Sequence, residues 1–207
     1  MDQIRSVQPK VWPAEPRANV QVHFSDGRIF EGPVGTPLAA FIDAAYPDQN
    51  VPIVAALADG KLRELSCAAT RDCKVEPLDI TSSDGLRIYQ RALSFLLIVA
   101  AHELFPEAQI LIDHSLTLSG LYCEVRNLPP LSSQDVRLLE ERMHEIVRAD
   151  EPISRRRVPL EEARAIFERQ GYADKVRLLQ FRQKDYLTVY ELRGLVDYFY
   201  GAMVPST

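Results

Sequence analysis

Cysteine is scarce in this chain: among 207 residues there are three, Cys67, Cys73 and Cys123. An odd number with no CxxC spacing argues against a disulfide framework, and the start MDQIRSVQPK lacks the apolar core of a secretory signal. A reduced, cytoplasmic protein is expected. Long apolar runs are missing too. The uninterrupted stretch 92–101 is about half of the roughly 20 residues that a bilayer needs, so no membrane span is expected. Nor is there an excess of positive charge: 24 basic against 29 acidic residues leave a net charge of -5, which implies no general attraction to nucleic acid or anionic membrane and leaves only local basic patches. Catalytic signatures are absent as well, with no GxxxxGK[ST], GxGxxG, GxSxG or HExxH anywhere.

What is present is a hydrophobic content of 46%, ample for a core in one large or two small domains. The chain is organised around the apolar segment 86–105. Leu86, Tyr89, Leu93, Leu96, Leu97, Ala100 and Leu104 recur at helical spacing, and Ala92, Phe95, Ile98, Val99 and Ala101 fill the opposite side. A long helix buried on nearly all sides is predicted, capped by Ser82 or Ser83 and stopped by Pro106. At about 1.5 Å per residue it spans roughly 30 Å, the width of a small domain.

Residues 1–18, with Pro9, Pro13, Pro16 and the lone Trp12, show no period and read as a flexible leader. Alternation then sets in. Val20, Val22 and Phe24, followed by Asp26-Gly27 and Ile29-Phe30, predict a hairpin, because Asp-Gly supplies the positive backbone angles of a tight turn. Thr36 is placed as N-cap and Pro37 as first residue of a helix carrying Leu38, Phe41, Ile42 and Ala45. A second hairpin, 53–58 and 62–65 about Asp59-Gly60, and a last strand at 75–80 complete the order of a ubiquitin-like grasp.

The blocks HFSDGRIFEGPVGTPLAAFIDAAYP and VAALADGKLREL resemble a TGS domain, the β-grasp module at the front of threonyl-tRNA synthetases. RALSFLLIVAAHELFPEAQILIDHS, GLYCEV and SSQDVRLLEERMHEIVRADEPISRRRVPLEEARAIF resemble the second domain of those enzymes, shared with alanyl-tRNA synthetase editing domains. The expected fold class is therefore α+β, with a TGS unit at 19–81 followed by an α/β editing-like domain at 82–207 built around the long helix. The residues themselves give the same elements there: strands at 109–112 and 121–125, a helix capped by Ser132 or Ser133 with Val136, Leu139, Met143, Ile146 and Val147 on one face, Arg155 to Arg157 on a strand, and a helix 160–170 stopped by Gly171.

The resemblance implies a zinc-type site of two histidines four apart on the long helix and a cysteine and a histidine four apart near the domain's end. The matching positions here are Arg91 and Phe95, then Phe199 and Met203. All four ligating groups are replaced, so the resemblance implies the fold without the editing hydrolysis, and no catalytic residue and no metal ligand are assigned. His23, His102, His114 and His144 contain no i, i+4 pair and read as structural or surface histidines. Cys123 could join His114 across a strand pair, although a buried free cysteine is the commoner case. Asp113-His114-Ser115 cannot align as a triad, because neighbours on a strand point to opposite faces. The arginine run is flanked by Asp150, Glu151, Glu161 and Glu162 and reads as a self-neutralised face. The vacated positions are expected to meet in an apolar cluster of Phe95, Phe199 and Met203 with Arg91 at its rim. Two forms stay open: a filled core patch, or a groove in which Arg91, His114 and Tyr122 offer donors to a nucleotide or small anionic ligand.

A TGS unit before an editing-like domain without its ligands also resembles the front of bacterial uridine kinase-type nucleoside kinases, a reading helped by the wording Gly120 to Cys123 and Tyr200 to Thr207. The tail YFYGAMVPST then implies that a kinase domain follows in the same chain, with ATP and Mg needed only there and no cofactor in these residues. The leading expectation is a noncatalytic accessory or ligand-sensing module of a nucleoside kinase. The alternative is a tRNA-editing or RNA-binding domain of a threonyl-tRNA synthetase-like protein, with RNA disfavoured by the acidic net charge.

Overall fold

The computed structural model describes residues 11–115 and 120–207, the side chains of residues 114 and 115 excepted. Residues 1–10 of the expected leader lie outside the described residues, and 11–18 form no helix or strand and are exposed. Alternation drives the first sheet. On β1 (Asn19–Phe24), Val20, Val22 and Phe24 face the interior while the residues between them do not. An antiparallel turn through Asp26-Gly27 returns the chain in β2 (Ile29–Pro33). β3 (Ile53–Ala58) and β4 (Lys61–Arg63) form a second hairpin, with Asp59 and Gly60 both at positive φ, as its two-residue turn requires. β5 (Cys73–Asp79) enters the middle parallel to β1, giving the order β2-β1-β5-β3-β4.

Helix α1 (Leu38–Ala45) covers this sheet with Leu38, Phe41, Ile42 and Ala45, the four residues that the spacing picked out. Its N-cap is Pro37, without a side-chain cap, and not Thr36. The reason is that the adjoining loop already serves this helix end: the Leu38 and Ala39 amides donate to the carbonyls of Cys67 and Leu65. At the hairpin's tip Asp26 accepts from the Arg28 guanidinium at 2.6 Å and from the Tyr46 hydroxyl at 3.2 Å. The Arg28 side chain and backbone bonds hold the Asp26 carboxyl down at about 2. Its ionised form therefore favours the fold above the ordinary carboxylate range, a contribution lost as the pH falls toward 2. Carbon NMR of the carboxyl should show this midpoint, and Arg28→Ala should return it toward about 3.9; an unchanged midpoint in the variant would contradict the assignment.

Helix α2 (Ser83–Leu104) starts at Ser82, whose hydroxyl accepts from the Gly85 amide at 3.0 Å, and ends before Pro106 as the proline requires. Gly85 is needed there because a Cβ would lie 1.9 Å from the Asp79 carbonyl oxygen. The expectation of burial on nearly all sides is corrected. Ile88, Ala92, Phe95, Leu96, Val99 and Ala100 are buried, while Leu86, Tyr89, Leu93 and Leu104 are exposed on the other side. Ile88 packs against Val54 and Ala55 of the first sheet, and Phe95 and Val99 face the second half of the chain. That second half holds a two-stranded ladder of β6 (Gln109–Ser115) and β7 (Leu121–Arg126). It also holds a three-stranded antiparallel sheet of β8 (Ser154–Pro159), β9 (Tyr186–Leu192) and β10 (Leu195–Asp197) in the order β10-β9-β8.

Around them lie α3 (Ser133–Ala149), α4 (Leu160–Arg169) and α5 (Ala173–Leu179). Ser132 and Asp135 close a capping box on α3, yet only Leu139 and Ile146 of its expected face are buried, whereas Val136 and Val147 stay exposed. Gly171, at φ +76°, ends α4 as the spacing predicted. The fold is thus α+β, with separate sheets and five helices among the described residues. No helix among these residues is long and apolar enough to cross a membrane.

Candidate functional site

Phe95 stands on the buried face of α2 with 0% of its surface exposed. The Phe199 ring lies 5.2 Å from it, tilted by 59°, and the Tyr190 ring lies 6.3 Å from Phe199. Met203 is 1% exposed in the same cluster. One turn earlier on α2, the Arg91 guanidinium donates to the Ala202 carbonyl and lies so close to Gly201 that a Cβ there would come within 2.9 Å of it. Burial lowers the Arg91 pKa, against the opposing pull of Tyr190 and Glu64. The structure therefore brings Arg91, Phe95, Phe199 and Met203 together. Phe95 and Met203 are solid core, while Arg91 and Phe199 are half-buried and Phe199 lines a cleft. Tyr122, on β7, does not line that surface, and the side chain of His114 lies outside the described residues.

Above this filled centre is an open cleft of about 420 Å³ between β4 of the first unit and β8, β9 and residues 198–202 of the second. Its walls carry three arginines, Arg63, Arg155 and Arg182, and one acid, Glu64. Glu64 is 7% exposed. It accepts from the Tyr190 hydroxyl and the Met203 amide, and its second oxygen lies 3.4 Å from Nε of Arg155. Burial, and then the bond to Glu64, push the Tyr190 hydroxyl far above its ordinary value. One carboxylate of the first unit thus ties down a strand and the terminal segment of the second. At the cleft's rim stands Tyr200, 97% exposed.

The arginine run splits by strand alternation. Arg156 pairs with Glu162 at 2.6 Å and Glu191 at 3.6 Å, the neutralised face expected for the run. Arg157 lies 4.3 Å over the Tyr186 ring, and Arg155 alone turns to the cleft. A second buried charge escaped the sequence reading. Asp197, 3% exposed at the end of β10, meets Lys175 of α5 at 2.5 Å and accepts from the Tyr198 amide at 2.7 Å. The Lys175 ammonium lies 4.1 Å over the ring of Tyr172, whose hydroxyl burial pushes up to about 12. An acid closing the apolar run Leu195-Val196 was the available signal. Among the described residues no three His, Cys, Asp or Glu side chains group to hold a metal ion. The thiols of Cys73 and Cys123 are pushed up by burial, which makes them poor ligands and nucleophiles.

The geometry defines an α+β protein with an arginine-walled cleft over a filled apolar centre. No family model matches the chain. The threonine–tRNA ligase of Symbiobacterium thermophilum is 30% identical over 190 residues, which are 91% of this chain and 29% of that protein. Those of Burkholderia lata and Acidithiobacillus ferrooxidans are 30% and 32% identical over 191 residues, again 91% of this chain. The chain is related to a region of threonine–tRNA ligases and spans about 30% of the length of these curated relatives.

Proposed function

We propose that this chain is a tRNA-binding module of the threonine–tRNA ligase type, with a TGS-like β-grasp at 19–81, an editing-like unit at 82–207, and no deacylating site. The observation that carries the reading is the arginine-walled cleft lined by Phe199, whose ring packs on Phe95 in the cluster that also holds Met203. Those three side chains fill the centre where the resemblance implies a metal, so no activated water is available for hydrolysis. The relatedness to threonine–tRNA ligases favours this reading over an accessory module of a nucleoside kinase. The net charge of -5 does not oppose it, because cations from both sides of the cleft are gathered there: Arg63, Arg155 and Arg182 can meet phosphates while Tyr200 offers a ring face to an unpaired base.

The test is fluorescence anisotropy with unfractionated tRNA at several salt concentrations. Binding should weaken with salt, and Arg182→Glu should lower the salt slope by about 1. Tyr200→Ala should weaken binding further through lost stacking, and mischarged tRNA should not be deacylated. Absent binding at low salt, or binding indifferent to both variants, would overturn the reading.

A further inference from the structure

A second cleft, of about 610 Å³, opens on the first unit beside the one already described. Leu38, Ala69 and Cys73 are among the residues that line it, and four cations border it: Lys61, Arg63, Arg71 and Arg155. Asp59 is its only acid. That carboxylate is already engaged by the Lys74 amide at 3.0 Å and by Arg71 at 3.0 Å, bonds that hold it below the ordinary carboxylate range. Among the described residues Lys61 and Arg63 enter no ion pair. Arg71 is held by Asp59 and Arg155 lies 3.4 Å from Glu64 of the adjoining cleft, so the surplus positive charge rests on Lys61 and Arg63, a local reversal of sign in a chain of net charge -5.

Protection of a sheet edge accounts for part of this. β4 is the edge strand, and exposed Lys and Arg on an edge discourage pairing with another chain. It accounts for Lys61 and Arg63, which share one face of β4, but not for Arg71, from the loop before β5, nor for Arg155, from β8 of the other unit. Four cations from three separate segments turned into one concavity fit a multivalent anion. Guanidinium forks match the oxygens of a phosphate, and the cleft has the size of a small-ligand site. We propose that this cleft is a phosphate-binding site of the first unit, taking a polyphosphate or consecutive phosphodiesters. Arg155 lines both clefts, so the ligand would share one cation with the cleft above the apolar centre.

The site is separable from the tRNA reading, because Lys61 and Arg71 line only this cleft and Arg182 only the other. The experiment follows the protein's amide NMR signals during titration with pyrophosphate, in the native sequence and with Lys61→Glu and Arg71→Glu combined. Signals from residues 59–71 should move, and the double variant should bind at least about tenfold more weakly, since a charge-assisted hydrogen bond is worth more than a decade in affinity. Should the reversal disturb folding, Lys61→Gln with Arg71→Gln gives the same reading with a smaller loss. Two further arms identify the source of the phosphate. If tRNA displaces pyrophosphate and the double variant lowers the salt slope for tRNA by about 2, the phosphates are those of an RNA backbone. If tRNA does not compete and a nucleoside triphosphate does, the ligand is a free polyphosphate. If pyrophosphate moves no signals and the double variant changes no affinity, the inference is overturned, while the tRNA reading still stands or falls on Arg182.

Discussion

Phe95→Ala should lower the stability of this protein by roughly 3–5 kcal/mol, the cost of emptying a fully buried aromatic site whose neighbours relax only in part. Phe95 shares its buried cluster with Leu96, Val99, Tyr190, Leu192 and Met203, and the Phe199 ring lies 5.2 Å from its own. None of these is a long flexible polar chain able to swing into the space. Urea denaturation with an unchanged slope would measure the loss directly. Phe199→Ala should cost less, because Phe199 is only half-buried and part of its ring already faces the cleft. A Phe95→Ala protein within about 1 kcal/mol of the native one would mean that the centre is hydrated and open, and the case against a bound water there would fail with it.

How much of this was legible in the sequence depended on the range of the interaction. Local chemistry was readable. Asp59-Gly60 and Asp26-Gly27 turned hairpins, Ser82 and Ser132 capped helices, Gly171 ended one, and the period of Leu38, Phe41, Ile42 and Ala45 named the buried face of α1. α2 was read wrongly for a physical reason. Between residues 92 and 101 both of its sides are apolar, so periodicity establishes a helix without saying which side a neighbour covers. The covering is decided by the first sheet meeting Ile88 and by β9 and the terminal segment meeting Phe95 and Val99. The exposed stripe of Leu86, Tyr89 and Leu93 is just as apolar.

The candidate site divides in the same way. Arg91, Phe95, Phe199 and Met203 come together because family resemblance carries long-range information that spacing alone does not. Glu64 and Lys175 were out of reach. Glu64 sits between Arg63 and Leu65 at the end of an edge strand, in a setting that reads as solvent-exposed, and its burial follows from partners at positions 155, 190 and 203. The arginine run was read as one neutralised face. Strand alternation, applied residue by residue, would have separated Arg155 from Arg156.

Lys175→Met should be the most damaging change on the other side of the second unit, and its cost should depend on pH. The native pair is nearly dry: Asp197 is buried, and Lys175 closes over it at 2.5 Å while lying across the Tyr172 ring. Burial raises the Asp197 pKa, and Lys175 is the main influence opposing that rise. Removing the ammonium leaves a buried carboxylate with the Tyr198 amide as its remaining donor, which costs about 3–5 kcal/mol near neutral pH. The sign of the pH dependence follows from linkage. Without Lys175 the folded-state pKa moves further above the unfolded value of about 3.9, so the folded state holds a proton that the unfolded state has released. Stability must then fall as the pH rises from that value up to the folded-state pKa, and the variant should approach the native protein in acid. Lys175→Met combined with Asp197→Asn removes the charge along with its partner and should recover most of the loss at neutral pH. Denaturant unfolding of both variants between about pH 4 and pH 8 decides it. A single variant whose deficit is flat with pH, or a double variant no better than the single, would show that Asp197 is not held as a buried charge by Lys175.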